Sequence, residues 1–330
     1  MQSLVDNFGR QIDYVRLAVT DRCNLRCQYC MPAQGIDIVP RKELLSYKEM
    51  YRIIRVLTEL GVTKVRLTGG EPFVRKDFIG FLKMLSFNDL LEDINITTNG
   101  ALISNHISEL ESLKKVKNIN LSIDSLEREK FAKITRRDVF PEVYKTFELL
   151  EQSSLNLKLN VVVQSGFNTN EITDFTELTK NKDIAVRFIE EMPFNGKGQR
   201  DLEEAWSFNN ILDEIKTKYE VTKLISEKSS TSHNYAIENH KGTVGIIPAF
   251  TRTICNDCNR IRITSTGTLK NCLFDDGVFN LRDFIRDGAS NEDLKELFLK
   301  LVKQKPKNGF VAEANRKKGK VSESMSTIGG

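Results

Sequence analysis

CNLRCQYC, residues 23–30, sets three cysteines in the spacing C-x3-C-x2-C, just after a short apolar segment that reads as a strand. The chain has six cysteines, and the other three form a second triad near its end. The first triad is Cys23, Cys27 and Cys30, and the second is Cys255, Cys258 and Cys272. Buried structural cysteines would be scattered, because free cysteine packs as a small apolar residue. Two groups of three indicate two metal centres instead.

Each triad is one ligand short of the four that a structural zinc site needs. The chain's three histidines, His106, His233 and His240, lie outside both triads. Thiolates are soft ligands suited to iron–sulfur clusters, and a four-iron cluster held by three thiolates leaves one iron open to another ligand. An open iron can bind and activate a small molecule, so we predict two iron–sulfur centres that take part in chemistry.

The composition is that of a folded protein with a charged surface. Its 330 residues are 40% hydrophobic and 28% charged, which excludes an intrinsically disordered chain. No apolar run approaches the roughly 20 residues of a membrane span. The N-terminal segment carries Asp6 and Asp13 and no apolar core, so we expect no signal peptide and a cytoplasmic protein with reduced cysteines. The net charge of +4 neither requires nor excludes a nucleic-acid partner.

Strand and helix patterns alternate along the first two thirds of the chain. We predict strands at residues 14–20, 62–68, 93–98, 118–124, 155–164 and 184–190. We predict helices at residues 46–60, 78–87, 104–115, 139–152, 171–180 and 207–218. The first helix has the clearest ends, with Ser46 and Glu49 as a capping box and Gly61 at the C-terminal cap. Alternating strands and helices favour parallel βαβ units.

Basic residues lie within four of the predicted strands: Arg16, Lys64, Arg66, Lys158 and Arg187. Such charges usually face water. In a barrel, however, helices cover the outer face of every strand, so these side chains would point into the lumen. A lone buried cation is costly without an anionic partner, and arginine donors suit phosphate. We therefore predict a polyanion site inside the barrel.

The first triad, with Tyr29 before its last cysteine, resembles the cluster motif of the radical S-adenosylmethionine superfamily. Residues 69–72, GGEP, match the glycine motif of that superfamily, and we expect the missing side chains to let a ligand approach the backbone. The resemblance implies an α/β fold, a partial (β/α)6 barrel of the TIM type with its chemistry at the C-terminal strand ends. We place the barrel and first cluster in residues 1–195. Residues 196–330 would form a subdomain that binds the second cluster and closes the open side.

Further motifs, spread over almost the whole chain, resemble the GTP 3′,8-cyclase family of molybdenum cofactor biosynthesis. They are TDRC at 20–23, TGGEP at 68–72, TTNG at 97–100, SID at 122–124, ITRR at 134–137, CNRIR at 258–262 and the final Gly329-Gly330. The resemblance implies a lyase that converts GTP to (8S)-3′,8-cyclo-7,8-dihydroguanosine 5′-triphosphate. It implies two 4Fe-4S clusters and S-adenosylmethionine as cofactors. S-adenosylmethionine would be cleaved at the first cluster, and guanine would bind the open iron of the second.

The resemblance also implies which residues form the site. The S-adenosylmethionine site would be lined by Tyr29, Gly70, Ser122 and Met192. The GTP site would be lined by Arg16, Arg66, Thr97, Lys158, Arg260 and Arg262, to which strand parity adds Lys64 and Arg187. Catalytic roles fall to Arg260, Arg262, Gly329 and Gly330. The tail that ends in these glycines would enter the active site, although the basic composition of residues 303–307 and 316–320 favours disorder.

The implied partners are GTP and a separate cyclic pyranopterin monophosphate synthase that takes the product. We expect neither nucleic acid nor a membrane as partner. The sequence is compatible with a homodimer and does not indicate the electron donor. Two alternatives stay open: a radical enzyme that modifies peptides, a class that typically has more than three C-terminal cysteines, and a zinc-dependent nucleic-acid binder that uses the basic tail.

Overall fold

The computed structural model describes residues 3–194, 205–225, 229–317, 319 and 323–329. The first six strands in these residues are β1 (Tyr14–Ala18), β2 (Lys64–Thr68), β3 (Asp93–Thr98), β4 (Val116–Ser122), β5 (Asn156–Val163) and β6 (Ala185–Glu190). The remaining strands are β7 (Val221–Lys223), β8 (His233–Ile237), β9 (Thr243–Ile247), β10 (Arg260–Ile263), β11 (Thr268–Lys270) and β12 (Phe279–Asn280).

Helices connect or follow these strands. Those of the first part of the chain are α1 (Tyr47–Glu59), α2 (Phe78–Ser86), α3 (Ile107–Ser112), α4 (Arg128–Thr135), α5 (Phe140–Glu151) and α6 (Ile172–Glu177). Those of the later part are α7 (Phe208–Lys216), α8 (Leu281–Arg286), α9 (Asn291–Val302), α10 (Gly309–Ala314) and α11 (Met325–Ile328). Among the described helices, none combines the length and apolar character that a membrane span requires.

The described strands form one sheet in the order β12-β11-β10-β1-β2-β3-β4-β5-β6-β9-β8-β7. Strands β1 to β6 follow chain order and pair in parallel. The later part of the chain extends both edges, since β10 pairs in parallel with β1 and β9 pairs in parallel with β6. The prediction of an α/β fold with a partial (β/α)6 barrel is confirmed.

Alternation along the parallel strands separates a core from a lumen. Val15, Val65 and Leu159 are buried in the main apolar core, beneath the surrounding helices. Their neighbours Arg16 and Arg66 have the opposite parity and face the inside of the barrel, because successive strand side chains point to opposite faces. The sheet therefore brings basic side chains from separate strands into one interior.

Helix α1 forms as its capping signals predict. Ser46 Oγ accepts a hydrogen bond from Glu49 N at 3.2 Å, and the Glu49 carboxylate accepts one from Ser46 N at 2.6 Å. Met50, Ile53 and Leu57 are fully buried on its inner face. The predicted helix at 46–60 thus differs from the observed one only at its caps.

Two of the other predicted helices are shorter than expected. Helix α4 was not predicted, and neither were helices α8 to α11 in the later part of the chain. The helix expected at 104–115 is a 3-10 turn, Ser104–His106, followed by α3, and the helix expected at 171–180 is limited to α6. Helix α4 was missed because its eight residues bury only two large apolar side chains, Phe131 and Ile134. So few positions give too little periodicity to indicate a helix.

Disorder of the basic stretch at 303–307 is a wrong expectation. Lys305 is only 4% exposed, and its ammonium donates to two backbone carbonyls. The second basic stretch, as far as it is described, is also held, since Arg316 pairs with Glu323 at 3.0 Å. Composition misleads here because these cations have partners far away in the sequence.

Candidate active site

A cavity of about 300 Å³ opens at the C-terminal ends of the parallel strands, and all six cysteines lie in its wall. The wall also includes nine other residues that the sequence analysis assigned to the site: Arg16, Tyr29, Arg66, Gly70, Thr97, Ser122, Met192, Arg260 and Arg262. These residues come from at least six strands or the loops that follow them. The fold thus joins both triads and four of the predicted basic residues, Arg16, Arg66, Arg260 and Arg262, in one chamber.

The loop of the first triad is held by the residues that follow α4. Arg26 N donates to Thr135 O at 2.9 Å. The Arg136 guanidinium donates to the carbonyls of Arg26 and Met31 at 2.8 and 2.9 Å. Arg136 itself has a left-handed backbone with φ of 55°. The sequence alone assigned no role to Arg136, although the ITRR motif at 134–137 includes this residue.

The two glycines after β2 line the cavity and also have a packing role that the sequence did not indicate. A Cβ at Gly69 would lie 2.2 Å from Thr20 O, and a Cβ at Gly70 would lie 2.1 Å from Arg22 O. Gly70 N donates to Thr20 O at 2.8 Å, which locks this turn against the base of the cysteine loop. The missing side chains therefore let two backbone segments approach each other.

Glu71 links the ends of β2 and β3 inside the protein. Its carboxylate accepts hydrogen bonds from Thr98 Oγ1 at 2.8 Å and from Asn99 N at 2.7 Å. Burial raises the pKa of Glu71 to about 7, although these donors oppose the shift. Close by, Tyr29 donates from its hydroxyl to the Asp124 carboxylate at 2.8 Å, and burial raises the pKa of Asp124 to about 6.

The thiols of the first triad are partly buried, and their ordinary ionisation is suppressed. Burial raises the pKa of Cys23 to about 12 and that of Cys30 to about 11. Leu25 N and Asn99 Nδ2 donate to Cys23 Sγ at 3.4 and 3.7 Å, which are contacts that stabilise a thiolate. Three soft donors in one cavity wall, with N–H groups aimed at a sulfur, fit an iron–sulfur cluster.

The second triad lies in a more positive electrostatic environment than the first. Burial alone would raise the pKa of Cys258, but the charges of Lys305 and Arg260 lower it to about 6. Burial raises the pKa of Cys272 to about 11. In the described parts of the chain, no three His, Cys, Asp or Glu side chains converge closely enough to hold a single metal ion. The donor set suits a cluster, in which each thiolate binds a different iron.

Several arginines line the same cavity as the triads. Burial and the Arg66 charge lower the pKa of Arg16 to about 9, and burial and the Arg16 charge lower the pKa of Arg262 to about 9. Among the described residues, the buried Nε atoms of Arg16 and Arg66 and the hydroxyl of Thr97 have no hydrogen-bond partner. Cations that repel each other and leave donors unpaired are an environment suited to a bound polyanion.

Three predicted basic residues lie on the lumen face but outside the lining of this cavity. Lys158 is in register with Asn120, and Lys64 with Tyr14, both near the N-terminal ends of their strands. Arg187 Nη1 donates weakly to Asn120 Oδ1 at 3.4 Å. Strand parity therefore assigned their face correctly, but none of the three belongs to the cavity wall.

The C-terminal segment runs along the cavity wall. Ser324 Oγ donates to Cys30 O at 2.7 Å, and Arg262 Nη1 donates to Gly329 O at 2.5 Å. Gly329 is buried with φ of 77°, and a Cβ there would lie 3.1 Å from Thr68 Cγ2. The described tail thus reaches from the first triad to the arginines. Gly330 lies outside the described residues.

The parallel half-barrel and the triads at its strand ends define a radical S-adenosylmethionine protein. Residues 17–179 match the family model of the Radical SAM superfamily, and residues 184–311 match the model of Molybdenum Cofactor Synthesis C. A GTP 3′,8-cyclase of Desulforamulus reducens is 36% identical over 99% of this chain and 100% of its own length. This chain belongs to the GTP 3′,8-cyclase family.

Two further comparisons differ in what they cover. The molybdenum cofactor biosynthesis protein moc-5 of Caenorhabditis elegans is 42% identical over 91% of this chain, which spans only 50% of that protein's length. The structure of Streptococcus suis SuiB bound to S-adenosylmethionine has a TM-score of 0.57 at 16% identity, covering 86% of this chain and 68% of that one. At such low identity the likeness to SuiB concerns the fold.

Proposed function

We propose that this chain converts GTP to (8S)-3′,8-cyclo-7,8-dihydroguanosine 5′-triphosphate, with S-adenosylmethionine and two 4Fe-4S clusters as cofactors. The observation that carries the proposal is a set of arginines, two of them with unpaired buried donors, in the wall of the cavity that both cysteine triads line. The D. reducens relative, named GTP 3′,8-cyclase, matches over its whole length. The product is the first intermediate of molybdenum cofactor biosynthesis.

At the first triad, Cys23, Cys27 and Cys30 would hold a cluster that supplies one electron for the reductive cleavage of S-adenosylmethionine. The residues around it bind and orient this cosubstrate. Gly70 offers backbone groups in the cavity wall, and Ser122 and Met192 form other parts of the wall. Tyr29 lies beside Asp124, whose hydrogen bond fixes the position of the phenol ring.

In the part of the cavity near the second triad, GTP would be bound through the positive charges of arginine side chains. Arg16, Arg66, Arg260 and Arg262 surround the space where the triphosphate would lie, and Thr97 can donate from its unpaired hydroxyl. Lys64, Lys158 and Arg187 would add positive charge on the same face of the sheet. Cys255, Cys258 and Cys272 would hold the second cluster, which leaves one iron for the guanine. The arrangement holds the ribose between the two clusters and away from water.

The tail completes the site in this proposal. Gly329 contributes a backbone carbonyl to Arg262, so the tail fixes one of the arginines that face GTP. We also propose a catalytic role for Gly330, which lies outside the described residues. The product would pass to a cyclic pyranopterin monophosphate synthase in the cytoplasm, and a homodimer is the assembly that we would test first.

The test is anaerobic incubation of the reconstituted protein with GTP, S-adenosylmethionine and a reductant. We expect 5′-deoxyadenosine and the cyclised nucleotide in equal amounts, both identified by mass spectrometry. Deuterium at the 3′ position of GTP should appear in 5′-deoxyadenosine. Two outcomes would refute the proposed substrate: formation of 5′-deoxyadenosine without any change in GTP, or formation of 5′-deoxyadenosine that carries none of the deuterium. Either would favour a different radical reaction, such as peptide modification.

A further inference from the structure

We propose that Lys305 is a positioning residue for the second triad: its single buried ammonium joins the two chain segments that carry the triad and supplies a positive charge beneath it. This inference rests on the proposed function, in which the second triad holds an iron–sulfur cluster. No motif in the sequence analysis included Lys305, and its basic neighbours suggested only a disordered stretch.

The Lys305 ammonium holds two backbone segments together through hydrogen bonds. Lys305 Nζ donates to Arg260 O at 2.7 Å and to Asn271 O at 2.5 Å. Arg260 lies two residues after Cys258, and Asn271 directly precedes Cys272. One side chain therefore fixes the relative position of two cysteines that are 14 positions apart in the sequence (272 − 258).

Lys305 is itself anchored at a defined place. Its backbone N–H donates to Val302 O at 3.0 Å, in the turn that ends α9. The following carbonyls, those of Pro306 and Lys307, accept hydrogen bonds from the Arg10 guanidinium at 2.7 and 2.8 Å. Arg10 also donates to Cys255 O at 3.0 Å, so the third cysteine is tied to the same segment.

The charge of Lys305 is not offset in the way that the charge of Arg10 is. Arg10 pairs with the buried Asp6 carboxylate at 2.6 Å. Within the described residues, the ammonium of Lys305 meets neutral carbonyl oxygens and no carboxylate, although the residue is only 4% exposed. A buried cation without a counter-charge is unstable, and the nearby anions would be the thiolates of Cys258 and Cys272 with their cluster.

A cluster held next to a fixed cation should be easier to reduce, because net charge and hydrogen bonding set the reduction potential of iron–sulfur clusters. Removing the charge should therefore have two measurable effects on the loaded protein. The second triad should retain less iron because its segments are no longer joined. The second-cluster signal that remains should be reduced only at a more negative potential.

The experiment compares Lys305→Met with Lys303→Met, a matched control at an exposed position of the same turn. We expect Lys305→Met to lose up to about half of the parent's iron and to keep S-adenosylmethionine cleavage at the first cluster. In a redox titration followed by electron paramagnetic resonance, its second-cluster midpoint should be more negative than the parent's. Lys303→Met should match the parent in both. Lys305→Gln, which is neutral but can still donate hydrogen bonds from its side-chain amide, should retain more iron than Lys305→Met.

Two results would overturn the inference. One is parent-like iron content and midpoint in Lys305→Met. The other is loss of iron from both triads together with a lower thermal midpoint, since this would make Lys305 a general support of the fold. Failure of the proposed function is recognised separately, because the parent would then contain only one cluster and replacement of Cys255, Cys258 and Cys272 would leave its iron unchanged.

Discussion

Arg66 allows the most direct test of the proposed binding of the GTP triphosphate. It lines the cavity, and its buried Nε has no hydrogen-bond partner in the part of the chain that the structure describes. Arg66→Ala should remove a charge-assisted contact worth about 1.5–3 kcal/mol, which weakens GTP binding by roughly ten- to a hundredfold. Binding of S-adenosylmethionine should be unchanged. Both affinities can be measured by anaerobic calorimetry with the loaded protein.

Guanosine provides the control for this variant, because it offers Arg66 no phosphate. Its affinity should fall far less than that of GTP. Arg128→Ala is a matched arginine control, since Arg128 is exposed and pairs with Asp138 at 2.8 Å, outside the cavity wall. Equal losses for guanosine and GTP would show that Arg66 supports the fold rather than contacting phosphate.

The raised pKa of Glu71 predicts that the stability of the protein depends on pH. The folded-state pKa of about 7 lies above the ordinary value of 4.5, so the folded protein holds this proton more tightly than the unfolded chain. The stabilisation from the proton is complete below pH 4.5 and is lost as the pH rises to about 7. Glu71→Gln cannot ionise. Its free energy of unfolding, relative to the parent, should therefore improve over that interval and level off above it.

Urea unfolding of the metal-free protein at several pH values measures this difference. Glu129→Gln is the control for the removal of a carboxylate, because Glu129 is exposed on α4. A constant difference between Glu71→Gln and the parent across the interval would contradict the raised pKa.

At the scale of elements, the two cysteine loops should behave as separate units. The first is held by the residues after α4, and the second is joined to β10 and to the turn after α9. Replacing Cys23, Cys27 and Cys30 with Ala should remove about half of the iron and abolish cleavage of S-adenosylmethionine. Replacing Cys255, Cys258 and Cys272 should also remove about half of the iron but leave uncoupled cleavage. Iron and 5′-deoxyadenosine assays report both.

The outcome that would contradict this separation is an unchanged iron content in either triple variant. Loss of all iron from one of them would contradict it as well, because the loops would then depend on each other. Circular dichroism of each variant would show whether the half-barrel persists.

Elements with strong local signals were predictable from the sequence. The capping box of Ser46 and Glu49 and the alternation in Lys64–Thr68 are determined by neighbouring residues, and both elements form as expected. Strand parity also placed Arg16, Arg66 and Arg187 on the lumen face. The triads and the glycine motif marked the site because their spacing is unusual.

Contacts between distant segments were not predictable. The burial of Lys305 depends on carbonyls more than 30 residues away, and the role of Gly70 depends on Arg22 across the turn. The amino-acid composition indicates neither of these contacts. Arg136 was within a recognised motif, but only the structure connects it to the carbonyls of Arg26 and Met31.

At the scale of the whole molecule, the tail connects the last residues to the first strand. Gly329 is packed against Ala18 and Thr68 and accepts a hydrogen bond from Arg262. Deleting Gly329 and Gly330 should leave both clusters, the thermal midpoint and S-adenosylmethionine binding close to the parent's. Product formation should fall strongly, because Arg262 loses its partner. Adding two alanines after Gly330 should be similarly harmful. Product yield, iron content and thermal unfolding measure these effects.

Full activity in the deletion variant would show that the tail has no role beyond its packing. A parallel loss of stability would mean that Gly329 serves the fold, since its backbone also lies against β1 and β2. Ser104→Ala is a suitable control for handling and reconstitution, because it lies in a 3-10 turn outside the cavity lining.

The strand order has a consequence for the protein while it is still being synthesised. Once β6 has left the ribosome at Glu190, β1 and β6 are both open edges, because their outer partners lie at Arg260–Ile263 and Thr243–Ile247. Open edges are templates for pairing with other chains. The nascent polypeptide is thus most prone to aggregation during translation of the stretch up to Ile263. A pause in elongation there would prolong its need for chaperones.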